Sequence, residues 1–241
     1  MLSDYRLNQL QNFCLELGLS DIDFALFDEA LTHPSYANEH QNSDIKHYER
    51  LEFLGDSYLK NITAQYLFEK YPDYKEGQLT KLLTFMVSDY FLSYLADKIN
   101  LPKYIQVGHS EIQSDGTHKE SIKACAFEAV LAAIAQSGKT DFLKKFLFDM
   151  FTSSDDYIQN SINTYNSKAI LQEYTQSKNN RLPEYKVLSQ VGKPHNLTFE
   201  VGVFYNGEEI GRGVAASKKE AEKNAANDAI EKLNIKAGLY E

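Results

Sequence analysis

Glu49, Glu52 and Asp56 fall at i, i+3 and i+7 within residues 47–58, HYERLEFLGDSY. At about 100° per residue, seven positions bring a helix back to within about 20° of its start, so the carboxylates share one face. The chemistry open to such a face is cation binding, because like charges gathered among apolar neighbours repel one another and need a countercharge. An acidic stripe is also what an ordinary solvated helix face presents. Two features point past that reading. Gly55 inside the helix costs about 1 kcal/mol relative to Ala, which implies that something packs closely against the backbone beside Asp56. Leu51, Phe53 and Leu54 are bulky and apolar, and they would set the acids in a groove.

The elements that must position these residues follow from hydrophobic spacing. Helical periodicity runs through Leu7–Leu17 and, after the capping residue Asp23, through Phe24–Leu31, with a stop near Thr32-His33-Pro34. The acid-bearing helix is expected from near Asp44 to Tyr71, ended by Pro72. Glu76–Ile99 reads as one long helix and Gly108–Lys119 as a loop. Glu120–Gln136 then reads as a small-residue helix suited to close packing, and Phe142–Phe151 as a last amphipathic one. The first part is therefore all-α. Thr152–Asn166, rich in Ser, Asn and Asp, is the linker candidate. Beyond it Lys168–Gln176 is helical and the period then changes. Tyr185–Gln190, Leu197–Tyr205 and Glu209–Ala215 alternate as strands, with turns at Gly192-Lys193-Pro194 and Asn206-Gly207. Ser217 caps a final helix with Glu220 at the capping-box position, giving the order α-β-β-β-α.

The 241 residues suffice for two modest domains, and 43% hydrophobic with 24% charged residues is an ordinary globular composition. No run approaches the roughly 20 apolar residues of a membrane span, and MLSDYRLNQL lacks a basic segment followed by an apolar one. A soluble cytoplasmic protein without a membrane partner is expected. Cys14 and Cys125 are far apart and form no CxxC pair, which suits a reducing compartment and gives no sign of structural zinc. A net charge of −9 seems to argue against a nucleic-acid partner, but its distribution removes the objection. Residues 1–160 hold 14 Lys+Arg against 24 Asp+Glu, a balance of −10, while residues 161–241 hold 11 against 10, a balance of +1. The second part is free to present a local basic patch.

LQEYTQ at 171–176, LPEYKV at 182–187, GKPH at 192–195 and SKKEAEKNAA at 217–226 appear in order, and the unit they span resembles the double-stranded RNA-binding domain. The family uses its first helix and the loop between its first two strands on successive minor grooves, and lysines opening its last helix on phosphates across the major groove. By position, the resemblance assigns Gln172, Glu173 and His195 to the minor groove and Lys218, Lys219 and Lys223 to phosphates. The physics agrees: these lysines cluster at a helix N-terminus, where backbone N–H groups and the dipole also favour an anion. Ala169 stands where many members carry Thr, which removes one hydroxyl from the expected RNA-facing set.

The N-terminal part resembles the ribonuclease III domain through YERLEFLGDS at 48–57, LTHPSYANE at 31–39, EGQLTK at 76–81 and AFEAVLAAI at 126–134. The resemblance implies a homodimeric, metal-dependent endonuclease that cuts both strands of double-stranded RNA and leaves short 3′ overhangs. Phosphodiester hydrolysis needs an activated water and a leaving oxygen relieved of charge, which paired Mg²⁺ ions accomplish. Mg²⁺ is hard and takes oxygen ligands. The implied ligands are Glu52, Asp56 and Glu128, with Asp56 and Glu128 catalytic and Glu49 and Glu76 as supporting acids; no organic cofactor is implied. Phe53 matches a residue that plugs the partner subunit, although a plain core Phe reads equally well. The implied domains are 1–152 for the nuclease, 153–165 for the linker and 166–235 for the RNA-binding domain, with a tail at 236–241.

One helix departs from the pattern. Where the family reads I-L-A-D-x-F-E-A, this chain has Ile122-Lys123-Ala124-Cys125-Ala126-Phe127-Glu128-Ala129, so Cys125 replaces the expected Asp. A thiol with a pKa near 8.5 is mostly neutral at pH 7, and sulfur is a soft ligand poorly matched to Mg²⁺. Leu83 stands at a usual Arg, Lys123 at an apolar position, and GAIYLD becomes Ala132-Ala133-Ile134-Ala135-Gln136-Ser137. Three outcomes stay open: Cys125 is tolerated with water in the missing place, the site prefers Mn²⁺, or cleavage is lost and a dimeric RNA-binding protein remains. The set Glu49, Glu52, Asp56 and Glu128 favours retained, weakened nuclease activity.

Overall fold

The computed structural model describes residues 2–40, 45–113, 116–193 and 196–235, which divide into two compact units, Met1–Ser154 and Asp155–Glu241. The first is helical: α1 (Asp4–Glu16), α2 (Phe24–Ala30), α3 (Pro34–Glu39), α4 (Glu49–Lys70), α5 (Glu76–Met86), α6 (Asp89–Lys98), α7 (His109–Gln113), α8 (Glu120–Gln136) and α9 (Thr140–Thr152), with short 3-10 turns at Leu101–Tyr104 and Gly116–His118. Its centre is α8. Ala126, Phe127, Ala129, Val130, Leu131, Ala132, Ala133 and Ile134 are fully buried, so from Ala126 to Ile134 this helix is apolar except at Glu128, and α2, α4, α6 and α9 pack against it. Leu59 and Leu67 of α4 and Phe91, Leu92 and Leu95 of α6 complete the core beside it.

Three elements differ from expectation in this unit: first, the stretch 108–119, expected as a loop, holds the short helix α7 and a 3-10 turn at Gly116–His118. The single helix expected over 76–99 is broken at Val87-Ser88, because the Ser88 side chain accepts the Phe91 N–H and opens a new helix, α6. Pro34 both follows the end of α2 and begins α3, as its missing N–H allows at a first helical position, with the His33 ring capping the turn. The acid-bearing helix begins at Glu49; Asp44, near which it was expected to start, lies outside the described residues.

The second unit contains α10 (Asp155–Tyr165), α11 (Ser167–Asn179), β1 (Glu184–Lys193), β2 (Asn196–Tyr205), β3 (Glu208–Ala215) and α12 (Lys218–Lys232). The strands form one antiparallel sheet in the order β1-β2-β3. Asn206 and Gly207 both take positive φ in the tight turn between β2 and β3, as the Asn-Gly pair predicts. α12 lies directly on β3: a Cβ on Gly211 or Gly213 would run into the α12 backbone at Ala225 and Ala221. The core joins Ile170 and Leu171 of α11, Val201 and Val203 of β2, and Ala221, Ala225, Ala226, Ala229 and Ile230 of α12. The polar stretch expected as a linker is helical as α10, which buries Ile158 and Ile162, one turn apart, and packs on α11 and α12. Hence a helix precedes the expected α-β-β-β-α order.

Candidate active site

α4 and α8 cross at Gly55, where an added Cβ would overlap the Glu128 carbonyl oxygen. That approach places Asp56, the next residue of α4, near Glu128 on the facing helix. The resulting open cleft, of about 610 Å³, is lined by Glu49, Glu52, Phe53, Asp56 and Lys60 of α4, Val87 and Asp89 at the start of α6, and Glu128 of α8. Hydrogen bonds from the 31–39 segment fix the approaches. The Tyr48 N–H donates to the Thr32 carbonyl at 3.0 Å and so sets the start of α4. The Ser35 hydroxyl accepts the Gly108 N–H at 2.8 Å, and the Glu39 carboxylate accepts the His109 N–H at 2.8 Å. The segment thus clamps the loop leading towards α8, a structural job for LTHPSYANE.

The cleft is electrostatically loaded. Burial, and then the Asp56, Glu52 and Asp89 carboxylates, push Glu128 up to about 8; Lys60 opposes the shift. Burial, a hydrogen bond to Glu52, and the carboxylates of Glu52, Glu128 and Asp89 push the Cys125 thiol up to about 12. Cys125 is therefore a neutral thiol at neutral pH, not a thiolate. Asp56 accepts from Lys60 Nζ at 2.7 Å. Tyr48 is buried beside this set, and burial raises its hydroxyl pKa well above the ordinary phenol value. Among the described residues, no three side chains of His, Cys, Asp and Glu are already gathered closely enough to hold a metal ion.

Glu49, Glu52, Asp56 and Glu128 thus line one cleft, with Cys125 close enough to feel the Glu52 and Glu128 carboxylates. Glu76 does not line it; on α5 its carboxylate accepts the Thr80 hydroxyl at 2.8 Å. Phe53 is 78% exposed at the cleft edge, which excludes a core role within one chain. Asp89 and Lys60 are the lining residues that sequence reasoning missed. The Ser88-Asp89 pair inside an apparently continuous helix, and a Lys four residues after Asp56, were the available signals.

In the second unit Gln172 and Glu173 are exposed on α11, and Lys218 and Lys219 are exposed in the first turn of α12, which Ser217 caps by accepting the Glu220 N–H. The Glu220 carboxylate pairs with Lys223 at 3.3 Å. Lys223 is turned inward, with its side chain 19% exposed and its ammonium 5.9 Å from the centre of the Tyr165 ring, so it presents less charge to a ligand than the lysines before it. His195 lies outside the described residues.

Residues 23–154 match a family model described as ribonuclease-III-like, and residues 167–233 match the double-stranded RNA binding motif. The ribonuclease 3 of Listeria welshimeri is 36% identical, covering 94% of this chain and 99% of its own length. That of Streptococcus gordonii is 38% identical over 95% and 98%. The chain belongs to the ribonuclease III family. A solved nuclease domain of ribonuclease III from Campylobacter jejuni, which contains a region involved in dimer formation, is 30% identical with a TM-score of 0.53, covering 58% of this chain and 94% of that one. Ribonuclease III-type endoribonuclease activity follows for this chain from its family, its nuclease fold and its RNA-binding unit. No helix among the described residues is long and apolar enough to cross a membrane.

Proposed function

We propose that this chain acts in the cytoplasm as a homodimeric endoribonuclease that hydrolyses phosphodiester bonds in double-stranded RNA with divalent metal ions, Mg²⁺ or Mn²⁺, and so processes structured transcripts. The observation that carries this reading is the convergence of Glu49, Glu52 and Asp56 from α4, Asp89 from α6 and Glu128 from α8 on one cleft. The donor set fits a hard cation: the cleft is lined by carboxylates, and one of them, Glu128, is raised towards neutrality by burial first and by its acidic neighbours next. Glu52, Asp56 and Glu128 would hold the metal, which when bound would activate a water and relieve charge on the leaving oxygen.

The chain's own residues do the rest. Glu128, held partly protonated near neutral pH by burial and its acidic neighbours, would lose that proton to solvent on binding a cation. Cys125, a neutral thiol beside Glu52, would stand at the place of the expected Asp without supplying an anionic oxygen or a sulfur ligand. With one anionic ligand fewer, cleavage should be weakened but retained. The exposed ring of Phe53 is suited to a pocket in a second copy of the chain. Gln172 and Glu173, with His195, would meet the minor groove, and Lys218 and Lys219 the phosphates.

A long perfect RNA duplex incubated with the protein and Mg²⁺ or Mn²⁺ should yield discrete short duplexes, and a chelator should stop the reaction. An intact duplex under every condition would leave RNA binding as the function. Replacing Lys218 and Lys219 together with Ala should weaken duplex binding and flatten its salt dependence by roughly one unit of slope for each phosphate no longer neutralised. An unchanged slope, measured by filter binding across a salt series, would remove these lysines from the interface.

A further inference from the structure

Lys60 follows Asp56 by one turn of α4, and its Nζ donates to Asp56 Oδ2 at 2.7 Å inside the cleft. Among the charged residues lining the cleft it is the cation; Glu49, Glu52, Asp56, Asp89 and Glu128 are all carboxylates. An ammonium and a divalent ion on the same carboxylate oxygen repel each other, and each takes the lone pairs that the other needs.

We propose that Lys60 is an intramolecular competitor of the divalent cation: it holds Asp56 in the metal-free protein, releases it when the ion enters, and so raises the metal concentration at which the site fills. This inference rests on the metal-dependent reading of the cleft. The pair is partly open to solvent, with side-chain exposures of 55% for Lys60 and 35% for Asp56, which bounds its strength. Exposed ion pairs of this kind correspond to about a two- to fivefold effect on an equilibrium. Lys60 is thus a positioning residue that tunes metal affinity.

The test is a calorimetric titration of the full-length protein with MnCl₂, without RNA, on wild type, Lys60→Met, Lys60→Met with Ala64→Lys, and Asp56→Asn. Ala64 is exposed one turn further along α4, so a lysine there returns the charge to the helix beyond reach of Asp56. Lys60→Met should bind Mn²⁺ about two- to fivefold more tightly than wild type, and adding Ala64→Lys should leave that gain in place. Unchanged or weaker binding by Lys60→Met overturns the proposal. So does a return to wild-type affinity with Ala64→Lys, which would make the effect one of general field and not of competition. If Asp56→Asn binds Mn²⁺ as well as wild type does, the assignment of Asp56 as a ligand fails, and the competition fails with it for that separate reason. Melting curves of each variant establish that it is folded.

Discussion

Gly55→Ala is expected to lower the melting temperature of the nuclease unit by on the order of 10 °C and to reduce cleavage with it. The added Cβ meets the backbone carbonyl of Glu128, which no rotamer change can move aside, so α4 and α8 must separate. Overpacking against a rigid neighbour costs about 3 kcal/mol, and each kcal/mol lowers the melting temperature of a unit this size by about 2–4 °C. Separation also moves Asp56 and Glu52 away from Glu128, so activity falls more steeply than the fraction folded. Gly77→Ala is the control, because a Cβ there meets nothing within 4 Å. That variant should be neutral or slightly stabilised, since Ala restricts the unfolded chain more than Gly does. Equal melting temperatures for Gly55→Ala and wild type would contradict the close crossing on which the cleft depends.

Glu128→Gln is expected to reduce cleavage by on the order of 100-fold or more while making the metal-free protein more stable at alkaline pH. In the folded chain the Glu128 carboxyl is raised from 4.5 to about 8, by burial first and by Asp56, Glu52 and Asp89 next. A raised pKa means that the folded state binds the proton more tightly than the unfolded state does. The associated stability is complete below about pH 4.5, declines as pH rises, and is lost by about pH 8, where the folded carboxyl ionises. Gln has no proton to lose. Thermal melts in a chelator should therefore show Glu128→Gln exceeding wild type by several degrees at pH 8 to 9, with the difference shrinking towards pH 5. Saturating Mg²⁺ should narrow the alkaline difference, because a cation stabilises the wild-type carboxylate. A difference that is constant across pH would mean that the Glu128 charge is not strained by its neighbours.

Much of this architecture is readable from the chain because its helices and strands carry clear periods. α4, with its carboxylate face and its close-packed glycine, and α8, with its small residues, are legible individually. Their crossing becomes legible through the family motifs they carry. The misses share a cause, namely side chains acting across a break in pattern. Ser88 ends one helix and caps the next within an unbroken apolar period, so 76–99 reads as continuous and Asp89 looks like surface charge. α10 hides in a polar composition, although Ile158 and Ile162 at i,i+4 already mark a buried stripe. Lys60 four residues after Asp56 is a readable i,i+4 pair, but the spacing does not say that it faces the cleft, and Lys223 reads as one more phosphate-facing lysine, whereas in the fold it lies against Glu220 and Tyr165. Pairings of this kind depend on rotamers and neighbouring elements that a linear pattern does not contain. Cys125 is the opposite case: its departure from the family's motif is plain in the sequence, and in the fold burial and the acids around it keep it a neutral thiol.

The proposed function depends on the cleft cutting double-stranded RNA, with Cys125 limiting the rate without abolishing it. The deciding measurement is single-turnover cleavage of a long perfect RNA duplex, in Mg²⁺ and in Mn²⁺, compared between wild type and Cys125→Asp. Both proteins should give discrete short duplexes, formed more slowly by wild type. Cleavage by Cys125→Asp alone would make the natural chain a binding protein, and no cleavage by either would contradict the assignment of the cleft.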